Sequence, residues 1–243
     1  MSCAMTNKLI KVDRVRSAAE AARLEALGAD LVGVALTADP RFYDDRTVTV
    51  EQAAAIGGAL QRATLVTAME LGGDPGRVLR SVAATRAGMV QPITGAIPPA
   101  DVRAALSDAG VGIVYGTIEI AHDDDPDWIF SAYADAPDLN AVLFHADVLP
   151  EYRESWAFLR DRAPEYEEEF QIADLNELGR HRPLVVGLDF TPDNVREIVG
   201  ALPGVRGIAL TLAEKGRRGD ARFHRYDDAI RVLEETGHLT GPS

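Results

Sequence analysis

The chain has 243 residues, 47% of them hydrophobic and 26% charged, and its 38 acidic against 25 basic side chains give a formal net charge of −13. That balance excludes a basic nucleic-acid footprint and an anionic membrane surface as partners, both of which reward clustered Lys and Arg, and there is enough apolar material for a large core. The single cysteine, Cys3, excludes a disulfide framework and a Cys-based metal cluster, no apolar run approaches the ~20 residues that span a bilayer, and residues 1–7 lack the features of a signal peptide, so a cytoplasmic protein is expected.

Short β-branched runs alternate with Ala-, Leu- and Glu-rich stretches of helical period, the pattern of a parallel sheet covered by helices. The first strand is read at 8–13, ending on Asp13, and a helix at 17–27 opens with Ser17 and Glu20 and closes at Gly28. Leu31-Val-Gly-Val-Ala-Leu36 is the second strand, and Thr49 with Gln52 opens the helix at 50–60. A strand at 64–70 leads to a helix at 75–84, and one at 88–91 to a helix at 98–109, closed by Gly110. The fifth and sixth strands, 111–116 and 140–145, bracket a predicted helix at 126–134. The stretch 151–180 reads as a broken helix serving as surface or lid, with Glu165-Tyr-Glu-Glu-Glu169 as a solvated face. The seventh strand, 183–189, delivers Asp189 and runs straight into a helix at 192–201, for which Thr191 is the N-cap, Pro192 the first helical residue and Asp193 a complement to the dipole. A strand at 205–212 and a helix at 226–236 complete eight pairs. The expectation is a single (β/α)8 TIM barrel, one α/β domain over 1–243 with flexible termini at 1–7 and 238–243.

In such a barrel the active site lies at the C-terminal ends of the strands. There the chain places Asp13, Arg41, Glu70, Gln91, Glu119, His122, His145, Asp147, Asp189 and Thr211, an acidic ring around one central histidine. A carboxylate facing an imidazole suits general acid/base work, because the imidazole titrates near neutral pH and burial among like charges raises a carboxylate towards it. Proton transfer at carbon, as in isomerisation, epimerisation, ring opening or elimination, is the leading reaction class. Asp13 and His145 are its candidate catalytic pair, with acid and base left unassigned. The alternatives are structural: Asp13 salt-bridged to Arg14 or Arg41, His145 a hydrogen-bonded rim histidine, Asp189 and Glu119 loop caps. No cofactor is required, although rim carboxylates and His145 could instead hold a divalent metal.

Three pieces together resemble phosphoribosylanthranilate isomerase: Lys8-Leu-Ile-Lys-Val-Asp13, then Gly33-Val-Ala-Leu followed by Asp39-Pro-Arg-Phe-Tyr43, and Thr191-Pro-Asp-Asn-Val195. The resemblance runs from about Lys8 to about Glu235. It implies a (β/α)8 barrel in which Asp13 stands where that family has a catalytic cysteine and His145 where it has a catalytic aspartate. It also implies substrate-binding roles for Arg41 and Gln91. At the family's phosphate site the resemblance puts Leu188-Asp189 in place of Gly-Gly and Thr211-Leu-Ala213 in place of Ser-Ser-Gly, so a phosphoribosyl substrate is not expected. The expected function is a divergent enzyme of isomerase or lyase type acting on a small, non-phosphorylated molecule in specialised metabolism, with Asp13 and His145 catalytic and Arg41, Gln91, Glu119, Asp189 and Thr211 binding substrate. The alternatives are a catalytically inactive barrel that binds a ligand or partner protein, its pocket closed by Phe144, Phe190 and Leu212, or a true phosphoribosylanthranilate isomerase of tryptophan biosynthesis. Neither nucleic acid nor membrane is an expected partner, and the chain is read as a monomer or homodimer, with Trp128 and Trp156 as helix-packing residues.

Overall fold

The computed structural model describes residues 8–36, 45–134, 136, 138–213 and 223–237. Eight parallel strands pair in chain order: β1 Leu9–Asp13, β2 Leu31–Ala35, β3 Thr64–Met69, β4 Met89–Pro92, β5 Gly112–Ile120, β6 Ala141–Val148, β7 Leu184–Gly187 and β8 Gly207–Leu212. The sheet closes through β1 on β8, from Leu9↔Gly207 to Asp13↔Thr211. The expected barrel is therefore present. The predicted termini 1–7 and 238–243 lie outside the described residues, as does Arg41.

The helices form where the caps direct. Ser17 Oγ accepts from Glu20 N at 3.2 Å to start α1 (Ala18–Ala26), and Thr49 and Gln52 make a reciprocal capping box on α2 (Val50–Ala59). Asp74, followed by Pro75, caps α3 (Pro75–Thr85). Gly28 and Gly110 take φ +101° and +71° just beyond α1 and α4 (Ala100–Asp108), the left-handed exit that glycine makes without strain. Thr191 and Asn194 exchange side-chain and backbone bonds (2.7 and 3.2 Å) around one turn, so that α7 begins only at Val195 and runs to Ala201.

The helix expected at 126–134 is a single 3₁₀ turn, Ser131–Tyr133. Its place against β5 and β6 is filled by rings: Phe130 and Tyr133 stand 5.2 and 5.4 Å from Phe144, and Tyr115 lies 5.2 Å from Tyr133. Four aromatic side chains bury the strand faces without a helix. The stretch expected as a broken helix resolves into the turn α5 (Ser155–Ala157), a π turn Phe158–Arg162, a 3₁₀ turn Ala163–Glu165 with Pro164, and α6 (Ile172–His181). Trp156 packs there as predicted, 3% exposed, whereas Trp128 is 71% exposed. Strands β5 and β6 outrun their predicted ends because a bulge, with Thr117 at φ +59°, restores pairing from Ile118↔Ala146 to Ile120↔Val148. An unanticipated two-residue strand, β9 (Phe223–His224), pairs with the last residues of β8, Thr211 and Leu212, before α8 (Tyr226–Gly237).

The barrel interior begins with one apolar layer drawing a residue from every strand: Leu9, Leu31, Val66, Met89, Val114, Leu143, Val185 and Ala209. The larger core lies between the barrel wall and the helices. Above the apolar layer, at the C-terminal end, the interior turns polar.

Glu25 braces the opposite end of the barrel, its carboxylate accepting from the backbone N–H groups of Gln61, Arg62 and Ala63 at 2.6 to 3.1 Å. Burial pushes its pKa up, and the three N–H groups bring it below the ordinary value. Its contribution is therefore complete above the unfolded pKa of about 4.3 and lost as pH falls through the lower folded value. Glu25→Ala is expected to cost about 2 kcal/mol at neutral pH in urea denaturation, and less as pH is lowered below 4.

Candidate active site

Because side chains alternate along a strand, Leu9, Lys11 and Asp13 of β1 all point into the barrel, as do Leu143, His145 and Asp147 of β6. The result is a four-member cluster. Lys11 Nζ is hydrogen-bonded to Asp13 Oδ2 and lies 3.3 Å from His145 Nδ1, while His145 Nδ1 is 3.4 Å from Asp13 Oδ2. On its far side His145 Nε2 is 3.6 Å from Asp147 Oδ1, beyond hydrogen-bond length, and has no hydrogen-bond partner among the described residues. Exposure rises towards the mouth, from 0% for the Lys11 side chain to 7% for His145, 13% for Asp13 and 27% for Asp147.

The charges complete one another. Burial alone would raise Asp13, but the Lys11 ammonium and His145 hold its carboxyl well below the usual carboxylate range. Burial and the Lys11 charge push His145 down, and the carboxylates of Asp13 and Asp147 more than offset them, so its pKa lies above the ordinary histidine value. With His145 neutral, two carboxylates and one ammonium leave the cluster one negative charge, and His145 can then take up a proton.

Three glycines make room for these groups. A Cβ on Gly33 of β2 would stand 2.0 Å from Asp13 Oδ1, one on Gly187 of β7 2.4 Å from Asp147 Oδ1, and one on Gly116 of β5 2.6 Å from Gln91 Nε2. Each polar side chain therefore lies flat across the neighbouring strand instead of filling the barrel centre. Gln91 Oε1 is buried without a hydrogen-bond partner among the described residues.

The structure brings together Asp13, His145 and Asp147 from the predicted ring and adds Lys11. Asp13 is salt-bridged by Lys11, and Arg41 lies outside the described residues. Thr211 neighbours Asp13 in the β1–β8 register. Glu119 is exposed at the tip of β5, level with Asp147. The Asp189 carboxylate accepts from Ser155 Oγ and Trp156 N, both at 2.8 Å, and so fastens the α5 turn to the end of β7; burial raises its pKa. No group of three or more His, Cys, Asp or Glu side chains able to hold a metal ion occurs among the described residues, and the Lys11 ammonium already sits between Asp13 and His145.

His122 stands away from the cluster, bridging the loop after β5 to the segment after β6. Its Nδ1 is 2.8 Å from Glu169 Oε2, and its ring meets Tyr152 edge to face at 5.6 Å. Glu169 raises the His122 pKa, so this tie is complete below the ordinary histidine value and weakens as pH rises through the folded one. Glu169→Gln is expected to lower the His122 midpoint, read by NMR titration of its imidazole.

Lys11 is not among the rim residues expected from the sequence. The signal was present: if Asp13 faces inward, so must the residue two positions earlier.

A closed eight-stranded parallel barrel, with helices around it, defines the class as a (β/α)8 barrel. Within that class the fold is that of the phosphoribosylanthranilate isomerases. The structures from Thermus thermophilus (TM-score 0.60, 19% identity) and Pyrococcus furiosus (TM-score 0.65, 14% identity) each cover 95% of this chain and are themselves covered to 99%. The ribulose-1,5-bisphosphate carboxylase/oxygenase of Pyrococcus horikoshii is also similar, with a TM-score of 0.54, 13% identity, 98% of this chain and 59% of that one. No protein-family model and no curated protein matches the sequence. No helix of the described residues is long and apolar enough to cross a membrane.

Proposed function

We propose that the protein is an acid/base enzyme of isomerase or lyase type, acting on a small, non-phosphorylated organic molecule at the mouth of the barrel. The observation that carries this reading is the contact of Asp13 with His145, two ionisable groups from opposite sides of the sheet closure held 3.4 Å apart above an apolar layer. His145 is the proton carrier, since an imidazole titrates near neutral pH and is buried between two carboxylates, whereas Asp13 is held ionised and orients and balances it. Asp147, next to the free Nε2 of His145 and more exposed, is the carboxylate to which a substrate proton can pass. Asp189 supports the non-phosphorylated substrate. Its carboxylate is committed to Ser155 and Trp156 at the end of β7, and its negative charge opposes a phosphate there.

A pocket closed by Phe144, Phe190 and Leu212 would favour the binding-only alternative, and all three side chains belong instead to the outer core between barrel and helices. The test is turnover of phosphoribosylanthranilate and of its dephosphorylated ribosyl analogue, beside deuterium exchange into small ketones and aldehydes followed by NMR, with and without a divalent metal. The expected result is exchange or turnover of an unphosphorylated compound that falls by about 10²–10⁴ in His145→Ala. Efficient turnover of the phosphorylated compound, lost in the same variant, would instead make the chain a true phosphoribosylanthranilate isomerase.

A further inference from the structure

Lysine is scarce in this chain: of its 25 basic side chains only Lys8, Lys11 and Lys215 are lysine, the rest arginine. Lys8 closes the far end of the barrel, donating to the carbonyl oxygens of Leu202 (2.7 Å), Pro203 (3.3 Å) and Val205. Lys215 lies outside the described residues. Lys11 sits at the centre of the ionisable cluster, where an ion pair with Asp13 is the task at which a guanidinium excels. What lysine has and arginine lacks is a nitrogen that can give up its proton and attack carbon. His145 Nδ1, 3.3 Å from Nζ, is in place to take that proton.

We infer that Lys11 is an imine-forming amine, which captures an aldehyde or ketone at the base of the proposed acid/base site. The inference rests on the acid/base reading, because it uses His145 as the proton carrier.

The step balances without an oxidant or reductant. The Lys11 ammonium passes a proton to His145 Nδ1, and the freed lone pair forms an N–C bond to the carbonyl carbon. The carbonyl oxygen takes up a proton to give a carbinolamine. A second proton delivered to that oxygen breaks the C–O bond and releases water, leaving an iminium ion on Lys11. Ammonium plus carbonyl has become iminium plus water, with one positive charge before and after. The iminium withdraws electrons from the adjacent carbon and acidifies its C–H bond, which suits a site built for proton transfer at carbon.

The first proton transfer strands no charge. Asp13 Oδ2 touches both Lys11 Nζ and His145 Nδ1, so a cation stays beside it whichever of the two holds the proton. The carboxylates of Glu119 and Asp147, level with each other at the ends of β5 and β6, favour a neutral or cationic carbonyl compound over an anionic one.

Propanal with cyanoborohydride is the probe, used on the full chain with peptide mapping of the propylated amines over time. The scarcity of lysine leaves only Lys8, Lys215 and the N-terminus as competing sites. Lys11 is expected to be modified ahead of Lys8 in the folded protein, and about 100-fold more slowly in His145→Asn. A Lys11 that stays unmodified when folded but reacts in urea overturns the proposal, as does an equal rate in His145→Asn. Lys11→Arg keeps a cation beside Asp13 and cannot form an imine. His145-dependent exchange that persists in Lys11→Arg overturns the imine and leaves the acid/base reading standing, whereas Lys11 labelling without any exchange does the reverse.

Discussion

Lys11→Met is expected to destabilise the protein by about 3–5 kcal/mol at neutral pH, and adding Asp13→Asn is expected to restore most of the loss. The first change removes the cation that holds the Asp13 carboxylate in a largely buried position, leaving a charge that neither water nor a second lysine can balance. The second removes that charge. Urea denaturation of the wild type, both single variants and the double variant gives the coupling energy, and a coupling near zero would show that Asp13 reaches solvent. The pH dependence should change sign. In the wild type the folded pKa of Asp13 lies below the unfolded value of about 3.9, so the stability it contributes is present above that value and lost as pH falls through the folded one. In Lys11→Met, burial is left to act with only His145 opposing it. The folded pKa then rises above the unfolded value, and the deficit shrinks as the solution is acidified.

The same residues show what could be read in advance. The barrel was legible because each strand carries a dense apolar run and most helices carry their own start and stop residues; the Ser17, Thr49, Gly28 and Gly110 signals are all realised. The missing helix at 126–134 was not legible, since its place is taken by contacts among Phe130, Tyr133, Tyr115 and Phe144, which lie on three separate stretches of the chain. Asp13 and His145 could be placed at strand ends, and period-two alternation should also have picked out Lys11. The glycines opposite the site were beyond the sequence. Gly33, Gly116 and Gly187 matter only because of which strand pairs with which, at which register, and a single chain of letters does not state that.

Gly187→Ala provides the sharpest separation of site from scaffold. Its new methyl group would stand 2.4 Å from Asp147 Oδ1, whereas the next atoms, Asp147 Cγ and His145 Nε2, are both 3.6 Å away. Only the tip of one partly exposed side chain has to move, so the urea midpoint is expected to shift by less than about 1 kcal/mol. Displacing Asp147 removes one of the two carboxylates that raise His145, and the His145 midpoint in an NMR titration should fall. If Asp147 takes part in proton transfer, a displacement of about 1 Å also lowers exchange or turnover by about 100-fold. Gly207→Ala is the opposite case. There the added carbon would meet the backbone carbonyl oxygen of Leu9 at 2.0 Å, where β8 closes the barrel on β1. Backbone cannot swing aside as a carboxylate can, so this change is expected to cost about 3 kcal/mol. Two glycines on neighbouring strands thus serve different ends, one leaving space for a carboxylate beside the proton carrier and the other letting the sheet close. A Gly187→Ala variant that lost as much stability as Gly207→Ala, with the His145 midpoint unmoved, would mean that Asp147 is packed as scaffold and has no part in setting the state of His145.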